Sequence, residues 1–155
     1  MSKTVSVSYG DDWFWAYDVS LGILLLEAIE AARSEDQPEG AADVLGMLNA
    51  HAQVGSAWEL ALDDERWTGP QRAFVHRIIA EAGRRLRDRG TMTRAEADAR
   101  YVRAGEPFAL RFEEHVDGAV LGDLADAMRA LVDGTLPVPP ENHWLYGVEG
   151  GPLTT

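Results

Sequence analysis

Polar and hydrophobic positions alternate from the start of the chain. Residues 4–9 set Val5, Val7 and Tyr9 against Thr4, Ser6 and Ser8, the period of two that marks a half-buried strand. Gly10-Asp11-Asp12 predicts a turn, and Trp13-Phe14-Trp15-Ala16-Tyr17 a returning strand. The period then lengthens. Leu21, Leu24, Leu25, Ala28, Ile29 and Ala32 recur at helical spacing and predict a helix over 19–34, with Asp18 as N-cap and Glu27 and Glu30 facing water. A polar loop from Ser34 to Gly40 leads into a second helix over 41–53, with Val44, Leu45, Leu48 and Ala52 on one face and Gly55 to end or bend it. Residues 57–62 alternate like a strand yet consist of good helix formers, so both readings stay open.

The third helix has the fullest signature. Thr68 and Gln71 make a capping box, Pro70 sits in the first turn, and Gly90 stands at the far end. Its apolar face is Phe74, Val75, Ile78, Ile79, Ala82 and Leu86. Thr93 and Glu96 repeat the box for a short fourth helix ending near Gly105, and Phe108, Leu110 and Phe112 then alternate as in a strand. Asp117 caps a fifth helix that ends at Gly134, with Val120, Leu121, Leu124, Met128, Leu131 and Val132 inward. Pro137, Pro139 and Pro140 impose an extended path, and residues 143–148 add a last strand. The expected fold class is α+β and helix-dominated, about five helices beside a small antiparallel sheet. Residues 1–148 form one globular domain, and residues 149–155 a flexible C-terminal tail.

Composition narrows the function classes. A chain of 155 residues, 46% hydrophobic and 26% charged, is long enough to bury a core without staples. The absence of cysteine excludes disulfides, thiol nucleophiles, iron–sulfur clusters and cysteine zinc sites. Residues 1–8 lack the apolar run of a signal peptide, and the longest apolar block, residues 23–26, is far short of the ~20 residues of a membrane span. A cytoplasmic protein with no membrane association is expected. Thirteen arginines against one lysine, with abundant alanine and glycine, fit the codon bias of a GC-rich bacterial genome.

Charge is more informative in its distribution than in its total of −12. Residues 1–65 carry thirteen acids against Lys3 and Arg33. Residues 66–111 carry eleven arginines against five acids, and residues 112–155 carry eight acids against Arg129. Such a band can neutralise itself against its flanks, and it argues against nucleic acid, which needs positive potential over a wide area. Arg84, Arg85, Arg87 and Arg89 crowd the end of the third helix, where cations suit the macrodipole; Arg94, Arg100 and Arg103 follow. The two helices superficially suggest a helix-turn-helix, but Glu96 and Asp98 stand where base-reading residues would enter the groove. Pairing with the acidic flanks is the stronger reading.

Catalytic signatures are sparse. His51, His76, His115 and His143 form no metal-binding helical pair. An extended segment would turn Glu113, His115 and Asp117 to one side, beside Glu114, as a divalent cation needs. A charged strand end leading into a helix cap accounts for them better, so no metal and no cofactor are expected. Asp123, Asp126 and Asp133 read as a solvated helix face. There is no Gly-x-Ser-x-Gly elbow, and Gly147 to Gly151 lacks the lysine and following helix of a phosphate loop.

The best candidate site is the aromatic run Trp13, Phe14, Trp15 and Tyr17, bracketed by Asp11, Asp12 and Asp18. Tryptophan and tyrosine dominate binding hot spots, and acidic neighbours steer a basic partner. Trp58, Trp67 and Trp144 read as core. The expectation is a non-enzymatic acidic protein-binding module, in its most concrete form an immunity- or antitoxin-like inhibitor that neutralises a basic cognate toxin. Its rivals are a small enzyme using Glu114, His115 or His143 in a cleft, and a helical regulator or DNA mimic, whose acidic surface the arginine band would interrupt.

Overall fold

The computed structural model describes residues 4–54, 59–63, 66–107, 114–137 and 143–154. Strands β1 (Thr4–Tyr9) and β2 (Asp12–Tyr17) form the expected hairpin, with Val7 opposite Phe14 and Val5 opposite Ala16. Gly10 closes it at φ +63°, a conformation that costs a residue without Cβ little. Helices α1 (Asp18–Ala32) and α2 (Ala41–Val54) follow, then β3 (Glu59–Ala61), α3 (Gly69–Arg89), β4 (Thr91–Thr93) and α4 (Arg94–Arg100). The remainder is β5 (Val102–Arg103), β6 (Glu106–Pro107), β7 (His115–Asp117), α5 (Gly118–Asp133), β8 (Trp144–Tyr146) and β9 (Leu153–Thr154).

The fold is the helix-dominated α+β class that the periodicity predicts. Its main sheet has five strands in the order β3-β1-β2-β8-β9 and is mixed, because β3 runs parallel to β1 and β8 parallel to β2. Parallel neighbours need long crossovers, and α1 with α2 supplies one of them. Residues 57–62 resolve toward strand where they are described, at Glu59–Ala61. The stretch from Glu149, read as a tail, carries β9, which pairs with β8. The strand expected over Phe108, Leu110 and Phe112 lies outside the described residues, as do Gly55, Trp58, Glu113, Pro139 and Pro140.

One face of the sheet packs on the helices through Val5, Val7, Phe14, Ala16, Leu60 and Tyr146. Helix α1 runs through the interior: eleven of its 15 residues are buried, and it touches α2, α3 and α5. Helices α3 and α5 pack backbone to backbone where α5 begins. A Cβ on Gly118 would fall 1.9 Å from the Leu86 carbonyl oxygen, and the Gly118 N–H donates to the Gly90 carbonyl at 2.9 Å. Both predicted capping boxes form, Asp117 accepts the Ala119 N–H at 2.9 Å, and Gly134 ends α5 in the left-handed region.

Three expectations about charge and helix ends are corrected. Glu27 does not face water; it is 2% exposed. Tyr101 Oη donates to its Oε1 at 2.7 Å, Arg89 Nη2 to its Oε2 at 3.2 Å, and Arg89 Nη1 pairs with Oε1. Asp18 is not the cap of α1. Tyr17 holds that position, and the Asp18 carboxylate accepts from Arg103 Nη1 at 2.8 Å. Finally, α4 stops at Arg100 rather than near Gly105. Tyr101 turns extended there, which brings its hydroxyl to Glu27 and Arg103 to Asp18, with Arg103 Nε donating to the Ala52 carbonyl at 2.9 Å.

Removing one partner of a buried pair leaves the other charge uncompensated. Glu27→Ala is expected to cost about 3–5 kcal/mol in urea unfolding. A loss below about 1 kcal/mol would mean that Arg89 finds water instead. Burial pushes the Tyr101 hydroxyl above its ordinary 10.0, with Arg89 and Arg100 pulling it back. The folded state therefore holds this proton more tightly than the unfolded chain, and stability falls as pH rises above 10.0. Tyr101→Phe should lose about 1–3 kcal/mol at neutral pH and flatten that alkaline decline, read from urea midpoints across pH. Tyr146, also raised by burial, adds to that slope.

Candidate functional site

The alternation that sends Val5, Val7 and Phe14 inward sends Ser6, Ser8, Trp13 and Trp15 to the opposite face. Register then builds a row across all five strands. Glu59 lies beside Ser6, Ser6 beside Trp15, Trp15 beside Leu145, and Leu145 beside Leu153. Trp13 and Trp15 meet edge to face, centroids 5.0 Å apart and planes at 89°, the arrangement that aromatic quadrupoles favour. His143 stacks on Trp13 at 3.6 Å and 18°. Trp13, Trp15 and Leu145 are half-buried, and Leu153 is exposed.

Carboxylates border this face. Asp11 and Asp12 are exposed at the hairpin turn; Asp63 accepts the Gly10 N–H at 2.8 Å, and Glu59 the Ser8 hydroxyl at 3.1 Å. Residues 4–17, 59–63 and 143–154, which build the sheet, contain neither lysine nor arginine.

The seven residues expected to bind a partner thus divide. Asp11, Asp12, Trp13 and Trp15 belong to the open face and its border. Phe14, Tyr17 and Asp18 do not. Phe14 is fully buried against Tyr146, centroids 5.1 Å apart, because strand alternation turns it toward the helices. Tyr17 is buried where β2 enters α1, and Asp18 is committed to Arg103. Leu145, Leu153, Glu59 and Asp63 join the site through strand register, which no local pattern encodes. His143 stood in the sequence as a catalytic candidate; here its ring lies on an indole.

Arg77, Arg84, Arg85, Arg87, Arg89 and Arg103 of the arginine band close on the chain's own acids. Arg87 donates to Asp123 at 3.0 Å and Asp126 at 2.7 Å, so this exposed face of α5, solvated as expected, also bridges to α3. Asp133 likewise meets His76 at 2.9 Å. Arg84 and Arg85 share Glu81, and the hydrogen bond from Arg84 does most to hold that carboxyl down to about 2 from 4.5, against partial burial. Arg77 lies 3.8 Å from Glu35.

Among the described residues no three histidine, aspartate or glutamate side chains gather as a metal site. Asp117 serves as a cap, and Glu114 and His115 are exposed; Glu113 lies outside the described residues. No described helix is long and apolar enough to cross a membrane. Compared with known proteins, the chain matches no family model, no curated protein and no solved structure.

The two faces of β2 differ in what truncation should cost. Phe14→Ala should lose about 3–5 kcal/mol, the loss of a large aromatic from a core. Trp13→Ala and Trp15→Ala should lose less, with about 0.5–1.5 kcal/mol traceable to their edge-to-face pair. Urea unfolding of the three variants decides it; a Trp15→Ala protein as unstable as Phe14→Ala would place that indole in the core.

Proposed function

We propose that this chain is a non-enzymatic binding module whose open sheet face docks a basic protein surface. The observation that carries this reading is the Trp13–Trp15 pair, half-buried and bordered by Asp11, Asp12, Glu59 and Asp63 on a sheet without a cationic side chain. Guanidinium groups stack on indole faces and pair with carboxylates, so an arginine-bearing surface satisfies both components at once. The internal pairing of the arginine band supports the reading. Arginines held by Glu27, Glu81, Asp18 and Asp123 do not compete for the sheet's acids. In its concrete form the module is an immunity- or antitoxin-like inhibitor: its acidic face covers the cationic surface through which a basic toxin engages its own target.

A photo-crosslinking residue placed at Ser6, opposite Trp15 on the open face, with Arg33 as a distant exposed control, tests this in the cells that make the protein. The expected adduct forms from position 6 alone and contains a protein of basic isoelectric point. Association with that protein should slow by about tenfold between low and high salt, with dissociation nearly unchanged. The Trp13→Ala and Trp15→Ala variants should each weaken it by about 2 kcal/mol or more. If the partner is a toxin, it should arrest growth when expressed alone and be relieved by the native chain but not by the double variant. An acidic partner, or association indifferent to salt, overturns the proposal.

A further inference from the structure

The register that sets Trp15 beside Leu145, carried back two residues along the parallel pair, sets Trp13 beside His143. Ser8 and Ala61 complete this second row across the sheet. The His143 imidazole lies half-buried on the Trp13 indole, centroids 3.6 Å apart and planes at 18°, while Trp15 meets the same indole edge to face. A seat suited to an incoming guanidinium is thus already taken by a ring of the same chain. We infer that His143 makes docking on this face pH-dependent: neutral, it yields Trp13 to a basic partner; protonated, it keeps the seat and repels that partner. This rests on the docking face proposed above and adds its regulation.

The composition of the face gives His143 that role. Residues 4–17, 59–63 and 143–154 contain no lysine or arginine, and His143 is their one histidine. The charged side chains around it are Asp11 and Asp12, at the turn that leads into Trp13, and Glu59 and Asp63 at the β3 border. Leu153 and Thr154 of β9 bring none. Tyr17 and Tyr146 are buried on the helical side, and Tyr9 packs on Trp67. Carboxylic acids ordinarily titrate near pH ~4 and phenols near pH ~10, whereas imidazole changes charge between about pH 5 and 8. Among the described residues of the sheet, His143 alone carries the kind of group that responds in that window.

Both forms of the ring act in the same direction. A neutral imidazole is held on the indole by stacking, and a guanidinium flanked by carboxylates replaces that contact with a cation–π one. An imidazolium makes the cation–π contact itself, so the exchange gains nothing, and its charge opposes every arginine or lysine that approaches. Proton and partner therefore compete. By linkage, docking favours the neutral ring, so affinity is full where imidazole is neutral and is lost as pH falls.

The test uses acetyl-tetra-arginine amide as the basic probe, at about pH 8 and about pH 5.5, on either side of the imidazole range. Binding to the full chain is followed by NMR through the indole N–H signals of Trp13 and Trp15. In the free chain the His143 ring protons should lie upfield of those of His51, His76 and His115, as the ring current of a stacked indole requires. The probe should bind at least about fivefold more weakly at the lower pH. His143→Gln, which has no proton to gain, should bind it equally at both, and His143→Lys should be weak at both. Unshifted ring protons, a native chain that binds equally at the two pH values, or an acid loss that His143→Gln retains would each overturn the inference and leave the docking face standing. A probe that moves neither indole at either pH would overturn the arginine seat, and with it both readings.

Discussion

Glu27 lies at the centre of the most buried helix, and a charge in that position is tolerable only if cations and donors are brought to it. Arg89 and Tyr101 meet this demand from the two ends of the segment joining α3 to β5. Much of the fold's connectivity follows. Helix α3 must be long enough to carry Arg89 to α1, and α4 must stop where it does so that Tyr101 can turn inward. The chain beyond it then crosses to Asp18, where Arg103 joins the start of α1 to the end of α2. A short helix with little buried face of its own is held in place mainly by the polar contacts of the residues around it. Burial lowers the proton affinity of Arg89, a cost offset by the partners it meets.

The same demand sorts the surface. Each arginine drawn to a carboxylate of α1, α3 or α5 is one fewer available to the main sheet, and the five strands of that sheet contain none. The net charge of −12 is thus unevenly felt: the helical layer is a mosaic of both signs, and the sheet with its turns is acidic throughout.

What could be read from the sequence is what local chemistry decides. The hairpin, both capping boxes, the Asp117 cap and the glycine stop at Gly134 depend on residues a few positions apart, and all are where the pattern puts them. Asp18 and Glu27 were misread because their partners stand 85 and 62 residues away. Helix α1 offers no warning, since a helix buried nearly all round has no dependable water side, and its glutamates look alike. Half of the open aromatic face was legible for a similar reason. Alternation separates Trp13 and Trp15 from Phe14, whereas only register brings Leu145, Leu153 and Glu59 alongside them.

An aromatic pair on an open sheet face carries a hazard, because flat apolar strands invite pairing with other copies. The edges here are blunted: β3 has three residues and ends near Asp63, and β9 has two. That protection needs charge but not a particular sign. Lysine is the commoner edge guard, and a face guarded only for solubility would be free to mix the two. This one uses carboxylates alone, in a chain that already repels itself through its excess of acids. Uniform sign also serves solubility, because copies of the chain repel one another, and it costs stability through the same repulsion within the fold. It does select which surfaces approach, attracting cationic proteins and turning acidic ones away. The one-signed border of the tryptophan pair thus fits the basic partner proposed above, and it guards the open face against pairing with other copies as well.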